Sequence, residues 1–279
     1  MNTKAVFLKL FAILIVAIYI GSCEKIADEI NDIRSAEEST TALMLFSDIF
    51  AQADIAAKMI SEPSTLKSHV FAIDGGCGTI TIEPLGTTFP KNITIDYGET
   101  NCTGLDQRER RGKIVAQVSD WYRNTGCELS ISTDEYFLDD YKVEGTKVVT
   151  NKGKNEFQQI YFTVEVSDGV ITKPDQGIIH WVTNRTRTWI AGEDTYLNVL
   201  DDEYELAGGA SGKTTRDKDF TLDITKPLNV KGDCPWLRGG TIDIKVNNTV
   251  TITTDYGDGD CTPSATATIL GKSFPFIMK

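Results

Sequence analysis

The stretch Trp181-Val-Thr-Asn-Arg185-Thr-Arg187-Thr-Trp189 carries the most distinctive chemistry of this 279-residue chain. Trp181, Arg185, Arg187 and Trp189 are all odd-numbered, so a regular strand sets them on one face. Indole and guanidinium groups gathered there could stack on a sugar or clamp an anion. The competing account is a packing face, in which arginine stems cover the tryptophan rings and pair with nearby acids. A second stretch, Ala207-Gly-Gly-Ala-Ser-Gly-Lys213-Thr214, fits a permissive phosphate-loop pattern. Such a loop works through backbone N–H groups at the start of a following helix. The residues from Thr215 to Ile224 alternate like a strand instead, which predicts a glycine-rich hairpin loop and no nucleotide site.

Other catalytic patterns are weak. Gly209-Ala-Ser211-Gly-Lys lacks the closing glycine of a nucleophile elbow. His69 and His180 are far apart and form no metal-ligand pair, so zinc catalysis has no visible ligand set. His180 reads as an ordinary strand histidine. Carboxylates are plentiful, but a glycosidase pair is positioned by the fold and no spacing selects one. The group Arg108, Arg110, Arg111 and Lys113 reads as a solvated loop. No catalytic residue, metal ligand or cofactor is assigned.

The first residues read as an export signal. Lys4 and Lys9 precede an apolar run from Leu10 to Ile20, which is shorter than a membrane-spanning helix. The run ends in Ile20-Gly21-Ser22-Cys23, similar to the lipobox of bacterial lipoproteins. The expectation is cleavage before Cys23 and lipidation of its thiol, leaving a membrane anchor. Residues 1–22 contain Lys4 and Lys9 and no acid, so their loss takes the net charge from −12 to −14. That acidity argues against nucleic-acid binding and against adhesion through basic patches. The acidic stretch Glu24 to Glu38 leans toward the outer membrane, on its periplasmic or surface face.

Five further cysteines remain: Cys77, Cys102, Cys127, Cys234 and Cys261. In an exported chain, disulfides are the default. The sequence Asp-Tyr-Gly-x-x-x-Cys occurs twice, at 96–102 and at 255–261. Each copy closes an interval that opens with another cysteine, which favours Cys77–Cys102 and Cys234–Cys261 and leaves Cys127 over, its pairing state open. The second copy adds Asp258 and Asp260, a possible calcium set, but without the spacing of an EF-hand loop. What the copies share is turn chemistry: an aspartate that caps and a glycine that takes positive φ. Their tyrosines are expected to pack over the end of a sheet.

These residues need elements to hold them. Residues 23–35 read as a tether and 36–66 as a segment built on an amphipathic helix spanning about 36–61. Ser35 and Glu38 have the form of a capping box, and Leu43, Phe46, Phe50, Ala53, Ala57 and Ile60 recur at helical spacing. From 67 to 279 the period is two, as in Ile160-Tyr-Phe162-Thr-Val164-Glu-Val166 and Ile242-Asp-Ile244-Lys-Val246. Asp168-Gly169 and, more faintly, Asn247-Asn248 read as hairpin turns. The predicted fold is mainly β: an antiparallel meander of ten or so strands, closed as a sandwich, a barrel or a curved sheet, with one N-terminal helix.

The runs Asn101-Cys-Thr-Gly through Arg111-Gly-Lys-Ile, Val143-Glu-Gly-Thr-Lys-Val-Val-Thr-Asn, Thr186-Arg-Thr-Trp-Ile-Ala-Gly, Cys234-Pro-Trp and Asp255-Tyr-Gly-Asp-Gly resemble a group of uncharacterised Bacteroidota lipoproteins. The resemblance spans residues 75–279. It implies an envelope location and a β-rich body, and carries no known activity or site residues. In that pattern a strand residue stands where this chain has Cys127. The functional expectation is a non-enzymatic, lipid-anchored envelope protein that binds a ligand or a protein or glycan partner, or is structural. A carrier of lipid or another hydrophobic ligand and a glycan-acting hydrolase are the alternatives.

Overall fold

A computed structural model describes residues 33–60, 70–195, 198–247 and 250–278. Residues 33–59 form helix α1. Then come β1 (Val70–Ile73), β2 (Gly78–Glu83), β3 (Lys91–Asp96), β4 (Cys102–Thr103), β5 (Glu109–Val118) and β6 (Glu128–Leu138). They are followed by β7 (Tyr141–Glu144), β8 (Lys147–Lys154), β9 (Ile160–Thr172), β10 (Ile178–Ala191) and β11 (Glu203–Lys213). The chain continues through β12 (Asp219–Lys231), β13 (Gly239–Val246), β14 (Val250–Asp258), β15 (Ser264–Ile269) and β16 (Lys272–Ile277). All sixteen strands belong to one antiparallel sheet that follows chain order, with β4 beside β5, and β8 between β6 and β9. Of the three closures the alternation allowed, the molecule is the large curved sheet.

The alternation that marked the strands is the alternation of burial. Ile242, Ile244 and Val246 of β13 point inward between half-buried or exposed neighbours. On β10 the odd residues face in, and His180 lies on the exposed face. Two turn assignments are corrected. Asp168-Gly169 lies inside β9, at a bulge where the register with β10 shifts between Trp181 and Thr183. Gly169 opposes Trp181 and sits against Phe46 of α1, so a glycine read as a turn instead makes room for the helix. The glycines of 207–212 lie within β11, paired to both β10 and β12. At Gly212 an added Cβ would stand 1.9 Å from the carbonyl oxygen of His180; close backbone approach, not a loop, requires that glycine. The β13–β14 connection is a tight hairpin, Val246 facing Val250, with Asn247 at φ 48°; Asn248 lies outside the described residues.

The helix differs most from expectation. Its predicted stripe is buried, but so are Met44, Leu45 and Ala56 away from it. Ser35, Glu38, Ser39, Thr40, Gln52, Asp54 and Lys58 are buried as well. Covered on most of its faces, with Glu37 and Ala51 exposed and Ile55 half-buried on the remaining stripe, it is a core element and not a surface one. Its partners run nearly the full width of the sheet. Gln52 accepts from Tyr97 next to β3 (2.9 Å), Asp48 meets Arg110 of β5, and the Phe46 carbonyl accepts from Lys147 of β8 (2.7 Å). Lys58 binds Tyr204 of β11 (2.9 Å), and Thr40 shares a hydrogen bond with Tyr256 of β14 (2.8 Å). The sheet is wrapped around α1. Ser35 and Glu38 therefore form no capping box: Ser35 is already helical, and Glu38 accepts from the backbone and hydroxyl of Thr215 across the core. The helix also begins no later than Ile33, inside the stretch read as tether; residues 24–32 and 61–69 lie outside the described residues.

The repeated Asp-Tyr-Gly now has a purpose. In each copy the aspartate accepts the N–H of the glycine two residues on, Gly98 to Asp96 at 2.8 Å and Gly257 to Asp255 at 2.7 Å. The glycines take φ 80° and 90°. The tyrosines do not cap the sheet end as expected. Each turns inward, so the pair clasps the helix at Thr40 and Gln52, about 18 Å apart along its axis. Tyr97→Phe and Tyr256→Phe each leave a buried polar partner on α1 unmatched. Each is expected to lower unfolding free energy by about 1–3 kcal/mol in urea denaturation; a loss near zero for both would refute the clasp.

Candidate functional site

The four residues of the Trp–Arg stretch all face the concave side, and the fold then divides them. Trp181 is fully buried and packs against Phe220, ring centres 6.0 Å apart. Trp189 stacks on Tyr204 at 5.5 Å, with the Lys58 ammonium 4.5 Å from its ring centre. Neither indole lines an open space. Arg185 and Arg187 do: they form part of the wall of a cavity of about 710 Å³ between α1 and the sheet. Neither arginine pairs with a carboxylate at salt-bridge distance among the described residues. Arg187 lies between two rings, 4.1 Å from the centre of Phe50 and 3.5 Å from that of Tyr204.

A residue that sequence reasoning passed over completes this wall. Lys147 opposes Val166 on β9, which in turn opposes Thr183 on β10; Val164, two residues along, opposes Arg185. Lys147 and Arg185 thus stand two strands apart on the inward face, with Val164 between them. The signal was present: Lys147, Val149 and Asn151 are the inward residues of an alternating run, and a lysine at an inward position is exceptional. Lys147 is 2% exposed and Arg185 4%. Nε and Nη1 of Arg185 are buried without a hydrogen-bond acceptor. Burial, then the neighbouring charges of Arg185 and Arg187, hold the Lys147 ammonium well below its ordinary pKa. Burial and Arg187 push Arg185 down to about 10.

Two ion-pair networks bound the cavity. At one end Lys58 bridges Asp54 (2.9 Å) and Asp202. Burial raises the Asp202 carboxyl above the usual range; at Asp54 burial acts the same way, but Lys58 and Arg187 outweigh it and hold that carboxyl low. At the other end Arg110 meets Asp48 (2.5 Å), Asp106 (2.6 Å) and Asp74 (3.1 Å), and Tyr136 donates to Asp48 at 2.7 Å. This corrects the reading of residues 108–113 as a solvated loop. Arg110 lies in β5 and is 1% exposed, Arg108 is buried against Asp139, and Arg111 stacks on Phe137 while pairing with Asp140. The helix carboxylate Asp48, invisible as a partner in the sequence, draws Arg110 inward.

Cys77 is bonded to Cys102 and Cys234 to Cys261, with Cα separations of 5.6 and 5.8 Å. Cys127 is a buried free thiol, pushed up to about 11 by burial. The acids of the second Asp-Tyr-Gly copy serve the turn and its neighbours, Asp258 pairing with Lys226 at 3.2 Å. Among the described residues no cluster of three His, Cys, Asp or Glu is placed to hold a metal ion. No described helix is long and apolar enough to cross a membrane. Residues 1–22, Cys23 and His69 lie outside the described residues. No protein-family model, curated protein or solved structure matches this chain.

Proposed function

We propose that this is a non-enzymatic, lipid-anchored protein of the cell envelope, held in the outer membrane through Cys23, that binds a small ligand between α1 and the sheet. The observation that carries the binding role is the cavity of about 710 Å³ with buried cations in its wall, a volume in the range of small-molecule sites. The carboxylates around it are held by cations, Asp48 by Arg110 and Asp54 and Asp202 through one oxygen each by Lys58, their Oδ1 atoms having no hydrogen-bond partner. That supports binding over glycoside hydrolysis, which needs two carboxyl groups free to act on one bond. Trp181 and Trp189 pack in the core, and the indole that does reach the cavity wall is that of Trp236. The anchor rests on Ile20-Gly21-Ser22-Cys23, and the two disulfides suit an oxidising compartment.

Two measurements test this reading. In bacterial cells fed labelled palmitate, the chain is expected to take up label and fractionate with membranes, and Cys23→Ala to abolish both. Unlabelled wild-type protein in the soluble fraction would remove the anchor. For binding, the amphiphilic anionic dye 1-anilinonaphthalene-8-sulfonate is expected to bind the folded chain at one site. Val164→Trp, which fills the space beside Arg185, should weaken it at least tenfold. Unchanged binding with an unchanged melting temperature would remove the cavity as the site.

A further inference from the structure

Arg185 poses an electrostatic problem the protein alone does not solve. A guanidinium stays charged at any physiological pH, and a buried charge is costly unless an opposite charge or a set of acceptors meets it. Yet two of its nitrogens find no acceptor, and the nearest charges working on it are positive. Lys147 has three donors and spends one on the Phe46 carbonyl. Arg187 is offset partly by Asp54, which Lys58 already holds. Arg185 therefore carries uncompensated positive charge in the wall of an open cavity, with the Lys147 donors beside it. Removing both charges would be the simpler way to build a stable core, since apolar replacements of buried ionic groups are often stabilising.

The cavity is also far larger than an inorganic anion needs, and Ile55, Val164, Leu206 and Val230 give it apolar walls. Leu200, 58% exposed, stands at its rim. We infer that the cavity takes a long-chain carboxylate, its head against Arg185 and Lys147 and its hydrocarbon chain along Val164, Leu206 and Ile55 toward Leu200. This rests on the cavity being the binding site and adds the class of ligand. Guanidinium and ammonium supply charge-assisted hydrogen bonds to the carboxylate, and the walls supply the hydrophobic share.

The test uses the purified full chain and a dansyl-labelled undecanoic acid, with the matching alcohol as neutral probe and inorganic phosphate as competitor. The acid is expected to bind at least tenfold more tightly than the alcohol. Arg185→Met should bring the acid to the alcohol's affinity, leave the alcohol unchanged, and not lower the melting temperature. Lys147→Met should reduce the preference in the same direction, and serves if Arg185→Met does not fold. Lys245→Met, which removes an exposed charge on β13, should change nothing. Equal affinity for acid and alcohol, both lost in Val164→Trp, would overturn the carboxylate and leave the cavity as a binding site. Acid binding retained in Val164→Trp would overturn both. Displacement of the acid by an equal concentration of phosphate would overturn the apolar half of the ligand.

Discussion

Arg110→Met is expected to destabilise the fold by about 3–5 kcal/mol, the cost of breaking a buried ion pair by removing one partner. At this chain length that corresponds to a melting temperature lower by roughly 10 °C. The cause is Asp48, which sits on the enclosed helix with Tyr136 as its remaining donor once the guanidinium is gone. Replacing both partners, Arg110→Met with Asp48→Leu, should recover part of the loss, because the helix carboxylate is then no longer stranded while the more exposed Asp74 and Asp106 still lose their guanidinium. A pH series separates the mechanism from simple loss of packing. Burial tends to raise the Asp48 carboxyl, but Arg110 overcomes it, so the folded pKa lies below the ordinary 3.8. The stability this pair contributes is therefore present above about pH 4 and is lost as pH falls through the depressed folded value. Wild type should lose stability steeply in that acid range, and the double variant less steeply. Parallel acid curves for the two would contradict the assignment.

Cys234→Ser with Cys261→Ser carries the next largest effect. The bond closes a loop with a sequence separation of 27 residues. Chain-entropy reasoning assigns such a loop about 3.5 kcal/mol. The C-terminal hairpins β13–β14 and β15–β16 complete one end of the sheet that covers α1, and Tyr256 on β14 is one half of the clasp. The double serine variant should therefore melt well below wild type under oxidising conditions, and the two should converge once reductant opens Cys77–Cys102 in both. An unchanged melting temperature would show that the strand pairing there does not depend on the covalent link. Cys127→Ser should behave differently. Its thiol donates to the Asp120 carbonyl at 3.2 Å and bonds no other cysteine, so its loss is indifferent to redox state.

How far the sequence was legible depended on the range of the physics involved. Period-two burial is local, so runs such as Ile242-Asp-Ile244-Lys-Val246 announced their strands directly. The duplicated Asp-Tyr-Gly-x-x-x-Cys likewise pointed to the two disulfides, because repetition sets a pairing apart from its alternatives. Strand number was undercounted, since β4 and β7 are too short to alternate visibly. Asp168-Gly169 and the 207–212 glycines misled, because glycine serves close approach inside a curved sheet as readily as it serves turns. The helix was found, but its surroundings were not. Nothing local shows how far cover extends beyond the apolar stripe, and the burial of Gln52, Asp54 and Lys58 is visible only once the sheet is in place. For the site, Arg185 and Arg187 were visible through their spacing with two tryptophans. Lys147, Asp48 and the cavity depend on which strands become neighbours, and that is a property of the whole sheet.

The enclosure of α1 has a consequence for the order in which the molecule can be made. The helix is the earliest described element to leave a ribosome or a translocation pore, and Thr40 waits for Tyr256, 216 positions later, to satisfy it. A chain made N-terminus first must therefore hold a helix whose buried Thr40 lacks this partner until nearly the last strands arrive. Contacts of such long separation slow folding and lengthen exposure to aggregation. Truncation within the last hairpins should leave a species that chaperones bind or proteases remove, rather than a smaller stable protein. The last hairpins complete one edge of the curved sheet, and the helix gains its Thr40 partner only when they are set.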